Sequence, residues 1–265
     1  MINKLFGKYY KKLDGNTRLE RMWLLSKMEF FRRYKEGFLG VIWAALNPLF
    51  RMTIYYFVFS VVMTSDIDNF ALYLMSGFLI WMFFAQASKQ SLLIYKKNKY
   101  LIDNIRFNKL DLFFSSLLGS LYGFFFSFLA YFLFTFIASI QFDVNLIYIL
   151  LWFPLLIVTI LGINLIISTI GIFISDINQL WDLILLAGFW TAPIFFRGEA
   201  IYEKFPLLFY ANPLSGLIIN IRNAILYSQP PDWGLGLYNF IYTSLLLGIG
   251  LLIFNRFSHK AIEKL

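Results

Sequence analysis

Six long apolar runs divide this 265-residue chain and constrain its fold more than any other feature. A transmembrane helix needs about 20 predominantly apolar residues to cross about 30 Å of hydrocarbon. The runs place candidate spans at residues 39–63, 71–93, 112–140, 146–174, 180–196 and 235–254. They lack the strict alternation that is typical of strands in a membrane barrel. The sequence therefore predicts an all-α integral membrane protein with six transmembrane helices.

The composition excludes the main soluble classes of protein. Apolar residues make up 60% of the chain and charged residues only 14%, whereas average soluble domains have about 45–50% and about 25%. So few charges could not cover a soluble surface, which argues against disorder and nucleic-acid binding despite the net charge of +8. The chain has no cysteine and one histidine. We therefore expect no disulfide, no thiolate metal site and no histidine-based catalytic centre.

Basic residues alternate with base-free loops along the chain. Residues 1–37 contain ten Lys or Arg, residues 94–111 contain five, and the tail after residue 254 contains three. The loop 64–70 and the loop around Asp143 contain none. Because basic loops stay on the cytoplasmic side, both termini are predicted to be cytoplasmic. The loop 175–179 has no base and is assigned to the same side by parity alone.

Residues 198–233 precede the last span and need a separate interpretation. The apolar stretch 214–227 is only about 21 Å long as a helix and carries Arg222 between two asparagines. A seventh span would also move the basic tail outside. We therefore predict two short re-entrant outer helices in this region. The predicted organisation is a cytoplasmic arm at 1–37, a transmembrane domain at 38–256 and a cytoplasmic tail at 257–265.

The arm is predicted to contain an amphipathic helix. Thr17 and Glu20 have the spacing of a capping box at a helix start. Four apolar residues then share one helical face: Leu24, Leu25, Met28 and Phe31. This pattern favours a helix that lies on the cytoplasmic membrane surface. A simple topogenic anchor is the alternative.

The first span carries a polar and aromatic stripe. Trp43, Asn47, Arg51 and Tyr55 are spaced by four and share one helical face. A charge inside a span is costly, and it usually faces the protein interior or water. The stripe therefore indicates either a polar path through the bundle or an arginine that pairs inside it. The basic segment 95–109 has similar alternatives, a solvated loop or a short helix that docks on a partner.

The sequence resembles the permeases of polysaccharide-export ABC transporters, which serve O-antigen, capsule and teichoic acid export. The stretch RYKEGFLG at 33–40, with Trp43 and Pro48, is similar to their R-Y-K-x-S-x-L-G-x-x-W-x-x-x-x-P motif. The likeness continues in order through SGFLIWMFF at 76–84, SDI at 175–177, WTAPI at 190–194 and NPL at 212–214. Gly37 replaces the usual serine, and Asn108 replaces the proline of a Phe-Pro pair in the cytoplasmic loop.

The resemblance implies a homodimer with one channel at its interface. Two copies of a separate ATP-binding-cassette subunit would dock on the cytoplasmic side and bind ATP and Mg²⁺. This chain would then need no cofactor, and it has no G-x-x-x-x-G-K-[ST] motif for phosphate binding. It would be a transport subunit of the bacterial cytoplasmic membrane rather than an enzyme. The cargo would be a lipid-linked polysaccharide, with O-antigen ahead of capsule and teichoic acid.

The resemblance also assigns residues to roles. An aromatic channel suits a sliding polymer, and the predicted path residues are Trp43, Asn47, Arg51, Tyr55, Trp81 and Phe84. The arm would provide the interface helix, and the segment 95–109 would provide the coupling helix. The predicted contacts to the ATPase subunit are Arg32, Arg33, Lys97, Lys99, Leu101 and Ile105.

Three other functions remain open from the sequence. An ABC exporter of a lipid or a drug would share this architecture. A membrane-embedded glycosyltransferase or acyltransferase would need acids or a histidine near the membrane face, and the chain offers few. A non-catalytic scaffold of a membrane complex is the third. A neighbouring ATPase gene would favour transport over the last two.

Overall fold

The computed structural model describes residues 18–34, 40–58, 67–104, 108–174 and 176–264, and it contains no strand within these ranges. The helices are α1 (Arg18–Tyr34), α2 (Trp43–Phe57), α3 (Phe70–Leu92), α4 (Ile94–Lys97), α5 (Lys99–Asn104), α6 (Leu110–Ile137), α7 (Ile149–Gly171), α8 (Ile177–Thr191), α9 (Gly198–Lys204), α10 (Pro206–Ala211), α11 (Ser215–Leu226) and α12 (Trp233–Glu263). Two 3₁₀ turns, Gly40–Ile42 and Val144–Tyr148, precede α2 and α7.

Four of the described helical segments are long and apolar enough to cross a membrane. They are Phe70–Leu92, Leu110–Ile137, Val144–Gly171 and Trp233–Ala261. They coincide with the second, third, fourth and sixth predicted spans. The helices α2 and α8 have 15 residues each, which is about 22 Å. Residues 35–39 and 59–66, on either side of α2, lie outside the described ranges. The count of six spans therefore stays a prediction.

The core of the bundle forms where α3 and α12 pack against α7. The α7–α12 contact is close because glycines face each other's backbone. A Cβ on Gly250 would lie 2.7 Å from the carbonyl oxygen of Gly162. Next to this contact, the hydroxyls of Thr159 and Thr243 are 2.6 Å apart and share a hydrogen bond. Small residues at such crossings let two helices approach and gain dispersion contacts.

The N-terminal helix α1 packs along the first half of α6. Leu25, Met28 and Phe30 are buried in this contact, and Phe31 stays exposed. Leu25 and Met28 belong to the predicted apolar face, whereas Phe30 is buried in place of the predicted Phe31. In the structure the buried face of α1 packs against α6, whereas the sequence predicted that this face lies on the cytoplasmic membrane surface.

An ion pair fixes the start of this contact. Arg18 Nε lies 2.8 Å from Asp111 Oδ1, and the Asp111 side chain is fully buried. A carboxylate that loses its partner in such a place keeps the cost of its desolvation.

We expect Arg18→Met to loosen α1, because it leaves the Asp111 carboxylate without this charged partner. The free energy of unfolding should fall by about 2 kcal/mol, which is typical of the loss of a hydrogen bond to a charged group. The double variant Arg18→Met with Asp111→Asn should recover part of it, since the buried group is then neutral. The apparent melting temperature of the detergent-solubilised chain measures both. Equal melting temperatures for the wild type and Arg18→Met would contradict the prediction.

The bundle has two distinct ends, which we name the basal and apical ends. The basal end contains Arg18, α4, α5, the start of α6 and the end of α12. Here Lys109 Nζ lies 3.4 Å from His259 Nδ1. The apical end contains α9, α10, α11 and the start of α3. Here the Tyr73 hydroxyl donates to the Phe196 carbonyl at 2.7 Å. The basal end holds the basic segments that the sequence assigned to the cytoplasm.

The apical region contains three short helices, α9, α10 and α11, where the sequence predicted two. The number differs because two prolines act in different ways. Pro206 occupies the first turn of α10, where its missing N–H costs nothing. Pro213 lies in the turn between α10 and α11. The Asn212 amide ties that turn to α8 by donating to the Gly188 carbonyl at 2.8 Å.

The C-terminal tail also differs from its prediction in extent. The sequence ended the last span at residue 254 and began the tail at residue 257. The helix α12 instead continues without a break to Glu263. It gains contacts that hold it to the bundle, because Phe254 packs edge-on against Phe113 with ring centroids 5.6 Å apart. Most of the predicted tail is therefore helical and continuous with α12.

Candidate functional site

An open groove runs between α2, α3 and α6, from the middle of the bundle towards the basal end. Its volume is about 660 Å³, within the range of about 300–1,000 Å³ that is usual for ligand sites. Its polar lining consists of Asn47, Arg51, Gln86, Lys89, Gln90, Lys97 and Ser127, and its aromatic lining consists of Tyr55, Phe78, Phe83 and Phe124. A groove with cations at one end and aromatic faces at the other can hold a ligand that has both a charged and an apolar part.

Three of the predicted path residues lie together in this groove. Asn47 and Arg51 are exposed on α2, one turn apart. Tyr55 follows one turn later and stacks on Phe78 of α3, with ring centroids 4.7 Å apart. Trp43 lies one turn before Asn47 and is partly exposed, but it is outside the groove lining. The spacing by four thus places the stripe on one face, with its middle and far end over the groove.

The other two predicted path residues are buried away from the groove. Trp81 and Phe84 are 5% and 4% exposed and lie between α3 and α8. Phe84 packs edge-on against Trp181, with ring centroids 6.3 Å apart. The Trp181 indole donates to the Ser88 hydroxyl at 3.0 Å. These side chains hold α8 against α3 in the single chain.

Sequence reasoning missed the polar residues that α3 contributes to the groove. Gln86, Lys89 and Gln90 follow the helical spacing of three and four and line the groove together. Their signal was available, because polar side chains interrupt the last turns of an otherwise apolar span. Lys89 also bridges to α8, since its Nζ lies 2.6 Å from Asp182 Oδ1.

The predicted contacts to an ATPase subunit divide into exposed, buried and undescribed residues. Lys97 ends α4 and Lys99 begins α5, and both side chains are exposed at the basal end. Leu101 is buried, so its side chain anchors α5 to the bundle. Arg32 and Arg33 belong to the last turn of α1, but their side chains lie outside the described ones. Ile105 also lies outside the described residues.

A second cavity, which we name the apical pocket, lies among α9, α10, α11 and the start of α12. Its volume is about 560 Å³. Arg222 lines it and is only 2% exposed. The Arg222 guanidinium lies over the Tyr73 ring at 3.5 Å from the centroid, and its Nε donates to the Ser76 hydroxyl at 2.9 Å. In the sequence, Arg222 argued against a seventh span and accompanied the NPL motif of the resemblance, but no site was predicted around it.

Comparison with known proteins identifies the class to which this membrane bundle belongs. Residues 20–226 match the ABC-2 type transporter family. Since this match spans well over half of the chain, the chain belongs to that family. The all-helical bundle and its long apolar helices agree with this assignment.

Individual relatives indicate a more specific similarity within this family. The chain is 27% identical over 242 residues to the O-antigen export system permease protein RfbA of Klebsiella pneumoniae, covering 87% of this chain and 89% of the relative. A second protein of that name from the same species is 27% identical over 243 residues, with the same coverage. A third, from Myxococcus xanthus, is 32% identical over 83 residues, or 31% of this chain and 32% of the relative.

These matches confirm the resemblance to polysaccharide-export permeases that the sequence motifs indicated. The chain is a transport subunit, a multi-pass membrane protein of the bacterial inner membrane. A permease of this family is a transmembrane subunit without a cofactor of its own.

Proposed function

We propose that this chain is the membrane subunit of an ATP-driven exporter of a lipid-linked polysaccharide, with O-antigen as the first candidate. Two relatives named as O-antigen export permeases match it over 87% of its length. The observation that carries the proposal is the groove, because it combines three cationic side chains with aromatic faces in one such permease.

The charged part of the groove suits the head of a lipid-linked glycan. Arg51, Lys89 and Lys97 line it from α2, α3 and α4. Bacterial export glycans of this kind are carried on a lipid through a phosphate or pyrophosphate, which prefers charge-assisted donors. Lys89 is already paired with Asp182, so Arg51 is the main candidate for this contact.

The aromatic part suits the sugars that follow. Stacking on Tyr55 and Phe78 tolerates a change of register, whereas a tight hydrogen-bonding pocket would trap the polymer. The groove is open along one side, and a second copy of the chain across it would close a channel. This supports the homodimer. In such a channel Trp81 and Phe84 would not touch the polymer but would stabilise the α3 wall by packing it against α8.

The basal end supports the proposed orientation and the ATPase contact. It gathers basic segments, and the positive-inside rule then supports a cytoplasmic location for this end and, as proposed, for both termini. The exposed Lys97 and Lys99 on α4 and α5 would meet the ATP-binding subunit there. Six spans and a re-entrant apical region complete this topology.

We expect the double charge reversal Lys97→Glu and Lys99→Glu to weaken coupling to the ATPase subunit. Charges at a contact rim mainly set association and specificity, and like charges across an interface are costly. The matched control is Lys260→Glu, an exposed basal lysine on α12. Affinity purification of the tagged chain from native membranes, followed by ATPase assay, should show about tenfold less co-purified activity for the double variant.

The same purification tests the proposed function as a whole. Recovery of a P-loop ATPase with the wild-type chain supports the exporter. A chain that purifies alone after mild crosslinking would argue against it. If the ATPase is present and hydrolysis responds to a lipid or drug but not to the glycan, another cargo replaces the polysaccharide. If the double variant co-purifies normally with the ATPase subunit, α4 and α5 are not part of the contact with that subunit.

A further inference from the structure

The apical pocket is separate from the groove and differs from it in shape and chemistry. It lies at the opposite end of the bundle, and no residue is shared between the two linings. Its volume of about 560 Å³ is in the range that holds a drug-sized ligand, so one or two sugar rings would fit. Its wall combines charged and amide side chains with tyrosine rings, which distinguishes it from a hydrophobic drug site.

Tyrosines supply the aromatic part of this wall from three directions. Tyr202 lies on α9, Tyr210 on α10 and Tyr227 at the end of α11. Tyr202 and Tyr210 meet edge-on, with ring centroids 5.7 Å apart. Burial raises the pKa of the Tyr227 hydroxyl, and a protonated phenol can donate a hydrogen bond. A tyrosine offers a flat apolar face together with a polar tip.

The remaining polar groups are balanced in charge. Two arginines, Arg197 and Arg222, and two aspartates, Asp68 and Asp232, line the pocket. The amide of Asn223 on α11 adds both a donor and an acceptor. A set with equal numbers of cations and anions gives no net attraction to a phosphate, but it can bond several hydroxyls at once.

The floor of the pocket holds a buried group whose hydrogen-bonding capacity is not filled. Arg222 is 2% exposed, and its Nη2 has no hydrogen-bond partner among the described residues. Its other contacts fix the guanidinium, because Ser76 accepts from Nε and the Tyr73 ring lies against its face. This donor is shielded from solvent and lies against Gly77 of α3, so Arg222 fixes the wall of the pocket, and a ligand would bond the polar groups around it.

We propose that the apical pocket is a carbohydrate-binding site that holds one or two sugar units of the exported glycan. Sugar rings present apolar C–H faces and a rim of hydroxyls, which is the complement of tyrosine faces surrounded by amide, carboxylate and guanidinium groups. The identity of the glycan rests on the proposed function. The site itself rests on the pocket, and it would give the polymer a second contact at the apical end.

The test uses the full chain with its ATPase subunit in lipid nanodiscs. The probe is a set of oligosaccharides cut from the host cell's own surface polysaccharide by mild acid, and saturation-transfer NMR reports which sugar protons touch the protein. The test variants are Asn223→Ala and Tyr202→Ala. The control is Leu207→Ala, an 80% exposed residue of α10 outside the pocket lining.

We expect the wild type and the control to bind the oligosaccharides, and each test variant to bind about tenfold more weakly, as fits the loss of one good polar or stacking contact. Equal binding by the variants would overturn the proposal. So would displacement of the oligosaccharides by sodium pyrophosphate, because it would identify an anion site. If no oligosaccharide binds but the ATPase still co-purifies, the apical site fails while the exporter stands.

Discussion

The Gly250→Ala variant is expected to lose stability, and Gly248→Ala, two residues away on the same helix, is expected to gain it. A Cβ at Gly250 would lie 2.7 Å from the Gly162 carbonyl oxygen, which belongs to the backbone of α7 and cannot rotate away. At Gly248 a Cβ meets no described atom within 4 Å. Both substitutions improve helix propensity by about 0.5–1 kcal/mol. A difference in stability between the two variants would therefore come from the contact of residue 250 with α7.

The size of the loss follows from the cost of overpacking. Forcing extra atoms into a packed contact costs about 1–3 kcal/mol. Separating α7 from α12 would also strain the nearby Thr159–Thr243 hydrogen bond. For a chain of this size, that corresponds to a fall of about 5 °C in melting temperature.

Fluorescence-detected size-exclusion chromatography of the heated, tagged chain measures this difference. We expect Gly250→Ala to lose its monodisperse peak at a lower temperature than the wild type, and Gly248→Ala to keep it at an equal or higher one. The reciprocal variant Gly162→Ala should behave like Gly250→Ala, because its Cβ would lie 2.8 Å from the Leu246 carbonyl carbon. If Gly250→Ala and Gly248→Ala melt together, the close α7–α12 approach is wrong.

The sequence predicted the long helices well because their signal is local. Twenty or more apolar residues in a row have few alternatives in a bilayer, and four described helices match predicted spans. The apical region was harder, since its helices have 7, 6 and 12 residues. In so short a stretch neither length nor periodicity separates one helix from two, and the effect of Pro206 and Pro213 depends on tertiary contacts.

The candidate sites also contain residues that the sequence could place correctly and residues that it could not. Asn47, Arg51 and Tyr55 were predicted from spacing on one helix, and the structure places them in one groove. Trp81 and Phe84 came from a motif in α3, a helix that is buried over most of its surface. Such a helix has almost no amphipathic signal, so the sequence could not tell which side faces the groove and which faces α8.

The apical pocket could not be predicted, because it forms from residues far apart in the chain. Arg222 bonds Ser76, which is 146 positions away. Neither partner is unusual in its own segment. The only local signal is the group of polar residues on α11, and that group is equally consistent with a helix end near water. Only the packing of α11 against α3 shows that Arg222 is buried over an aromatic ring.

The Arg51→Glu variant is expected to reduce surface polysaccharide about tenfold or more. Arg51 is exposed in the groove, so its removal should cost little packing. A glutamate there would face the anionic head of a lipid-linked glycan, and like charges brought together cost several kcal/mol, where about 1.4 kcal/mol is already tenfold. Arg51→Lys keeps the cation and should export nearly normally, while Arg51→Gln should lie between them.

Complementation of a deletion strain, with surface glycan measured on gels and by antibody, ranks the three variants. Membrane abundance and co-purified ATPase activity must be measured in parallel, because a chain that fails to insert would also fail to export. If Arg51 lines the path, all three variants should have normal membrane abundance and normal ATPase recovery. Export should then be highest for Arg51→Lys, intermediate for Arg51→Gln and lowest for Arg51→Glu. If all three variants export like the wild type, Arg51 is outside the path. If all three lose the ATPase or the membrane band, Arg51 supports assembly instead, since a role through charge alone would spare the lysine.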